Sequence, residues 1–230
     1  MAAEIKVLSS IATREAYNDL LPEFERVSGQ KVTTTWAGTV DIMKRMAAGG
    51  EDHDLVIISS NELEDLIKQG KIATGSRADL AKSEIGVAVK AGAPKPDISS
   101  AEALKSTLLA AKSVGYTSGP SGVYMGNLVE RMRIAVEVKA KFRSVPSGGT
   151  IGTIVAAGDC EIGFQQVSEL VHIPGIDYAG PLPADIQRVT IFSSGIQSGA
   201  ENAAGAKALQ QFLTTPAAAA VMRKHGLETS

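Results

Sequence analysis

The feature that most restricts this chain is a rhythm: short β-branched runs alternate with amphipathic helical stretches, and Gly or Pro punctuates most junctions. Parallel strands need a crossover, usually helical, so this alternation predicts βαβ units around a mainly parallel sheet. Ile5 to Leu8 reads as a buried strand and Ser9-Ser10 as the turn after it. Thr13 to Val27 follows as a helix that buries Ala16, Leu20, Phe24 and Val27 near the i, i+4, i+7 spacing and is stopped by Ser28-Gly29. Lys31 to Trp36 alternates as a second strand, Ile42 to Ala48 is a helix ended by Gly49-Gly50, and Asp54 to Ile58 is a third strand. Ser59-Ser60-Asn61 supplies capping side chains for a helix over Glu62 to Gln69.

A second series begins near Glu84 to Lys90. It continues through a helix (Ser100 to Ala111), a strand (Ser113 to Thr117), a helix (Ser121 to Ile134), a strand (Lys139 to Val145), a helix (Gly149 to Ala157) and a strand (Glu161 to Gln165). Pro174 to Pro183 reads as a connection between strands, and Val189 to Ser194 as the strand that returns to the first series. Helices over Ala203 to Leu213 and Pro216 to His225 finish the chain. The predicted class is α/β: two Rossmann-like lobes joined by two hinge strands, near residues 82 to 90 and 186 to 194, with a ligand cleft between them. The expected division is 1–83 for the first part of lobe 1, 84–188 for lobe 2, and 189–230 for the return to lobe 1.

Composition narrows the partners. With 44% apolar and 21% charged residues, a chain of 230 residues can bury one large core or two smaller ones. Twenty-three Lys and Arg against 25 Asp and Glu leave a formal charge of -2, so no global field draws the chain to nucleic acid. No window approaches the roughly 18 uninterrupted apolar residues that membrane insertion requires. One Cys excludes an internal disulfide, and three scattered His offer no metal-ligand spacing; no metal and no cofactor are expected. The N-terminus lacks a leader pattern, which fits either a periplasmic mature form whose signal was removed or a cytoplasmic protein. A monomer is expected.

In open α/β sheets ligands collect beyond the carboxyl ends of the strands, where helix N-termini present unpaired N–H groups. The turns there hold Ser9, Ser10, Ala12 and Thr13; Thr39 after Ala37-Gly38; Ser59; Ser118, Ser121 and Gly122 around Pro120; Gly149 and Thr150 after Ser147-Gly148; and Gln165 with Gln166. Small hydroxyl and amide donors without full charge suit a desolvated anion. The competing reading is structural, since Ser and Thr at helix starts commonly cap and Gly commonly turns. Trp36 is a stacking candidate or core packing, and Arg14 and Arg77 are anion partners or surface charges. Asp41 and Glu169 are the acid–base candidates, yet no nucleophile stands at a motif spacing and no His accompanies them, so no enzyme activity is expected. Cys160 reads as a small buried hydrophobe, and His225 as a complement to the dipole of the last helix.

Taken in order, Ile5-Lys6-Val7-Leu8-Ser9-Ser10, Trp36-Ala37-Gly38-Thr39, Met43 to Gly49, Asp54 to Ser60, Gly158 to Phe164, and Phe212-Leu213 through His225-Gly226-Leu227 resemble the molybdate-type solute-binding proteins of ABC transporters. These have the type II periplasmic-binding-protein fold. The resemblance implies a cleft that holds a tetrahedral oxyanion through hydroxyls and backbone amides from both lobes, and delivery to an ABC permease. The family's first binding Ser falls near Ala12, with Thr13 adjacent, and its second near Thr39 or Val40. Ser121 and Thr150 occupy positions whose backbone amides the family uses, while the family's binding Tyr is replaced by Gln166. A carboxamide both donates and accepts, so the expected solute is a small organic acid in preference to molybdate. The alternative is a cytoplasmic sensor or an enzyme that reuses the same cleft.

Overall fold

The computed structural model describes residues 4–145 and 149–229. Its contacts divide the chain into one unit built from the segment up to Ser83 together with that from Ile191 onward, and a second unit, Glu84–Thr190.

In the first unit, β1 (Ile5–Ser10) leads through a 3-10 turn (Ile11–Thr13) into α1 (Arg14–Ser28), followed by β2 (Val32–Ala37), α2 (Thr39–Ala48), β3 (Leu55–Ser59), α3 (Ser60–Lys68) and β4 (Ala78–Ser83). The second unit runs β5 (Ile85–Lys90), α4 (Ala101–Ala110), β6 (Val114–Thr117), α5 (Pro120–Arg131), α6 (Ala135–Lys139), β7 (Phe142–Val145), α7 (Ile151–Ala157), β8 (Ile162–Gln166), α8 (Val167–Leu170) and β9 (Ile176–Pro181). The chain then returns through β10 (Thr190–Ile196), α9 (Ala203–Leu213) and α10 (Pro216–Lys224).

The first sheet has the order β2-β1-β3-β10-β4, with β1 parallel to β2 and β3, and β10 antiparallel to β3. Its inner strands β1 and β3 are largely apolar on both faces because helices cover both. Ile5, Val7, Leu55 and Ile57 pack with Ala16, Leu20 and Phe24 of α1 and with Leu209 and Met222 of α9 and α10. The alternate residues Leu8, Val56 and Ile58 pack with Ile42 and Met46 of α2 and Leu63 and Leu66 of α3. Val27, expected on the buried face of α1, is 65% exposed in the last turn before the reversal at Gly29.

The second sheet has the order β7-β6-β8-β5-β9, with β6 parallel to β7 and β8, and β5 antiparallel to β8 and β9. Ile85, Val87, Ile162 and Phe164 form its larger core with α4 and α5, while Val145, Ile151, Val155 and Cys160 form a smaller one. Helix α7 lies close to this sheet because β8 carries Gly163 there: an added Cβ would come within 2.3 Å of Ile151 Cγ2.

The α/β class stands, but both sheets are mixed where a mainly parallel one was expected, since β10 and β5 run against their neighbours. Three local readings are corrected. Pro174 to Pro183 contains an edge strand, β9, hidden because Asp177, Gly180 and Pro181 interrupt the β-branched pattern and none of its residues is fully buried. Strand β4 went unread because its sequence ADLAKS holds no β-branched residue, although Leu80, Ala81 and Ser83 are buried. The front of the expected strand Lys139 to Val145 falls at the end of α6, and the strand starts at Phe142. Among the described residues no helix is long and apolar enough to cross a membrane, and no group of three or more His, Cys, Asp and Glu could hold a metal ion.

Candidate functional site

In the first unit, register brings the ends of β1, β2 and β3 to one sheet edge: Ser9 pairs with Trp36 and Ile57, and Ser10 with Ala37. Ser9, Ser10, Ala12, Thr13, Thr39 and Ser59 are all buried there. Much of their hydrogen bonding is internal. The Ser9 and Thr13 hydroxyls share a bond of 3.1 Å, Thr13 Oγ1 donates to the Ser10 carbonyl at 3.0 Å, and Ser10 Oγ accepts from the Ala12 amide at 3.4 Å. For Ser10 the capping role therefore holds, and Ala12 has only backbone to present. Gly38 begins α2 without a side-chain cap, and its carbonyl accepts from Asp41 and Ile42, so the amides of Thr39 and Val40 are the ones left over at that helix start. Ser59 does not cap α3 as expected; its hydroxyl donates to Glu62.

In the second unit the corresponding ends are those of β6, β7 and β8. Thr117 Oγ1 accepts from the Gly119 amide at 3.3 Å and lies 3.5 Å from Ser121 Oγ. Ser121 is buried, and Ser118 is exposed at the turn. Gly122 serves its own backbone: a Cβ there would fall 1.5 Å from the Thr117 carbonyl oxygen, so its bare Cα permits the close helix-to-strand contact. Gly149 and Thr150 are half-buried, and Thr150 begins α7 in an extended conformation without a side-chain cap bond. The other two residues of that turn, Ser147 and Gly148, lie outside the described residues.

The two glutamines that end β8 behave differently. Gln165, 1% exposed, accepts from the Ile151 amide through Oε1 and donates through Nε2 to Glu169 Oε1, both at 2.7 Å. Gln166, 2% exposed, donates through Nε2 to Thr190 Oγ1 at 2.9 Å, and its Oε1 has no partner. Beside them stands Tyr178, whose ring packs on Gly86, the β5 residue paired with Gln165. Burial, then the charge of Glu84, pushes the Tyr178 hydroxyl up to about 12, so it stays protonated across the neutral range. Thr190 and Tyr178 were missed, Tyr178 because β9, which pairs it with Ala88 of β5, was read as a connection.

The remaining candidates resolve structurally. Trp36 packs edge-on to Tyr17, with ring centroids 5.3 Å apart. Arg14 pairs with Glu15, and Arg77 bridges Glu64 and Asp79. Cys160 is buried, donates to the Ile162 carbonyl, and has its thiol pushed up by burial. His225 caps the end of α10 and pairs with Asp19 at 2.8 Å. Asp41 lies in the first turn of α2.

A family model described as bacterial extracellular solute-binding protein matches residues 5–228. A Pseudomonas sp protein named aconitate isomerase is 36% identical over 229 residues, covering 97% of this chain and 87% of its own. Among solved structures, the periplasmic molybdate-binding protein of Azotobacter vinelandii superposes with a TM-score of 0.83 at 18% identity, covering 99% of this chain and 100% of its own. L-phospholactate-bound PEB3 of Campylobacter jejuni gives 0.76 at 14% identity, covering 99% and 100%. The isomerase relative corrects the expectation that this chain is no enzyme: the missing His and nucleophile motif argued against hydrolysis and acyl transfer, but an isomerisation needs neither. With its type II periplasmic-binding-protein-like fold and a match from residue 5 to residue 228, the chain belongs to the bacterial extracellular solute-binding protein family.

Proposed function

We propose that this protein binds a small polycarboxylic acid of the aconitate kind through the turns at its strand ends and isomerises it. The observation that carries the choice of ligand is Gln166. Its carboxamide is buried with one end unpaired. Its partner, the Thr190 hydroxyl, can donate or accept, so the carboxamide can turn and offer either an N–H or a carbonyl. A carboxylate takes the first and a protonated carboxyl the second, whereas molybdate offers acceptors alone. An unsatisfied buried polar group costs about 1–3 kcal/mol, which a matching ligand recovers on binding.

The activity rests on the isomerase relative and on chemistry that needs no cofactor. In an unsaturated tricarboxylate, a base takes a proton from the methylene carbon, and that C–H pair forms a new double bond. The former double-bond pair then takes a proton at the far carbon. One proton is removed and one returned, with no change of oxidation state. Donors around the carboxylates stabilise the charge that spreads onto them in between.

Thermal unfolding and proton NMR test both halves. At a hundred times its dissociation constant a ligand stabilises by about 2.7 kcal/mol, an upward shift of roughly 5–11 °C for a chain of this size. Aconitate is expected to produce that shift and to convert between its geometric isomers. Stabilisation by molybdate or tungstate and none by tricarboxylates refutes the ligand; binding without conversion refutes the activity. A second reading, delivery of the acid to an ABC permease from the periplasm, is favoured by the family match; it requires the liganded protein to raise the permease's ATP hydrolysis.

A further inference from the structure

Resting on the isomerase reading, we propose that Glu169 is the base that moves the proton and that Gln165 is the residue that positions it. The shift needs a group that is basic at neutral pH, which the Ser and Thr hydroxyls at the strand ends are not. Among the carboxylates in the first turns of the helices that follow these strands, Asp41, Glu62 and Glu169 qualify by chemistry. Asp41 sits in the first turn of α2, and Glu62 takes the hydroxyl of Ser59, a rotor that can point elsewhere.

Glu169 is held by a group that is itself held. The Ile151 amide can only donate, so it fixes Oε1 of Gln165; the NH2 end must then face Glu169, whose ionised carboxylate can only accept. The buried Gln165 cannot reverse without breaking both bonds, whereas Gln166, the next residue, can turn at the cost of none. Gln166 ends β8 and Glu169 lies in α8, which follows it directly, so an acid that spans the strand end is required by this assignment to reach both. In the step itself Glu169 removes the methylene proton as the double bond shifts, and the same carboxyl returns it to the far carbon of the allyl system.

The test uses the full chain with aconitate as the probe, NMR for kcat and KM, and calorimetry for binding. Glu169→Gln is expected to lower kcat by about a hundredfold or more with KM changed less than about threefold. Gln165→Met is expected to lower kcat by about tenfold with a similarly small change in KM, and the double variant to be no slower than Glu169→Gln, because the two act as a unit. Glu169→Asp, which keeps the carboxylate one methylene further back, should recover part of the loss and serves if the amide variant does not fold. Wild-type turnover in Glu169→Gln, or multiplying losses in the double variant, overturns the assignment while leaving the isomerase reading standing. A wild-type protein that neither binds nor converts aconitate overturns both.

Discussion

Two glycines four residues apart on α5 provide opposed outcomes from the same substitution. Gly126 has nothing within 4 Å of where a Cβ would sit, so Gly126→Ala gains helix propensity without a clash and is expected to stabilise by about 0.5–1 kcal/mol. At Gly122 the added Cβ would stand 1.5 Å from the Thr117 carbonyl oxygen and 2.6 Å from its carbon, both backbone atoms that cannot swing away. Real Cβ atoms keep at least 3.0 Å, so the first turn of α5 must retreat by about 1.5 Å from the end of β6. Overpacking by one methyl typically costs about 1–3 kcal/mol, and a backbone clash belongs at the top of that range or above it. Differential scanning calorimetry should find Gly126→Ala melting about 1–4 °C above the wild type and Gly122→Ala at least about 6 °C below it. Gly122→Ala should also weaken aconitate binding, since the amide of Ser121 moves with the turn. A Gly122→Ala protein that melts at or above the wild type refutes the close approach of α5 to Thr117.

Burial holds the His53 imidazole below its usual 6.5, with the charge of Glu51 opposing. The unfolded chain therefore binds the proton first, and stability should fall as pH drops below about 6.5; urea titrations should show His53→Gln flattening that slope between about pH 7 and 5. Asp79 is lowered chiefly by its hydrogen bond from Arg77, so its contribution persists above the usual 3.8 and disappears as pH falls through its lower folded value, a window separate from that of His53. Cys160 should react with a thiol reagent only as the protein unfolds, because it is buried and its thiol is pushed up; rapid labelling of the native protein contradicts this. Arg77→Met should cost about 1 kcal/mol in chemical denaturation, since it breaks ion pairs to both Glu64 and Asp79 that are only half-buried.

Strands β1 and β3 and helix α1 were legible because two-sided burial writes continuous apolar runs and a repeating helical face into the sequence. Edge strands β4 and β9 were not: β9 is half-exposed throughout, with little reason to be β-branched, and β4 buries Leu80, Ala81 and Ser83 without one β-branched residue. The strand-end turns could be found from their Ser, Thr and Gly content, but not the use each residue makes of it. Gly122 answers to Thr117, five residues earlier, and Gln165 answers to Ile151 and Glu169 at once. Gln166 depends on Thr190, 24 residues further on. Glu169 was set aside for want of a nucleophile at a motif spacing; no spacing motif marks its hydrogen bond from Gln165, four residues earlier.

The position of β10 between β3 and β4 has a consequence for synthesis on the ribosome. β4 is made early, yet its neighbour in the sheet emerges only after the whole of Glu84–Thr190 has been translated. That intervening segment is continuous and carries its own core, so it can complete its folding while the first sheet still lacks its penultimate strand. The order of assembly is thus the reverse of the order of synthesis: the unit begun first is finished last. Nascent chains stalled at the length where residue 190 has just left the ribosome should protect the second unit from protease while β4 remains open to cleavage.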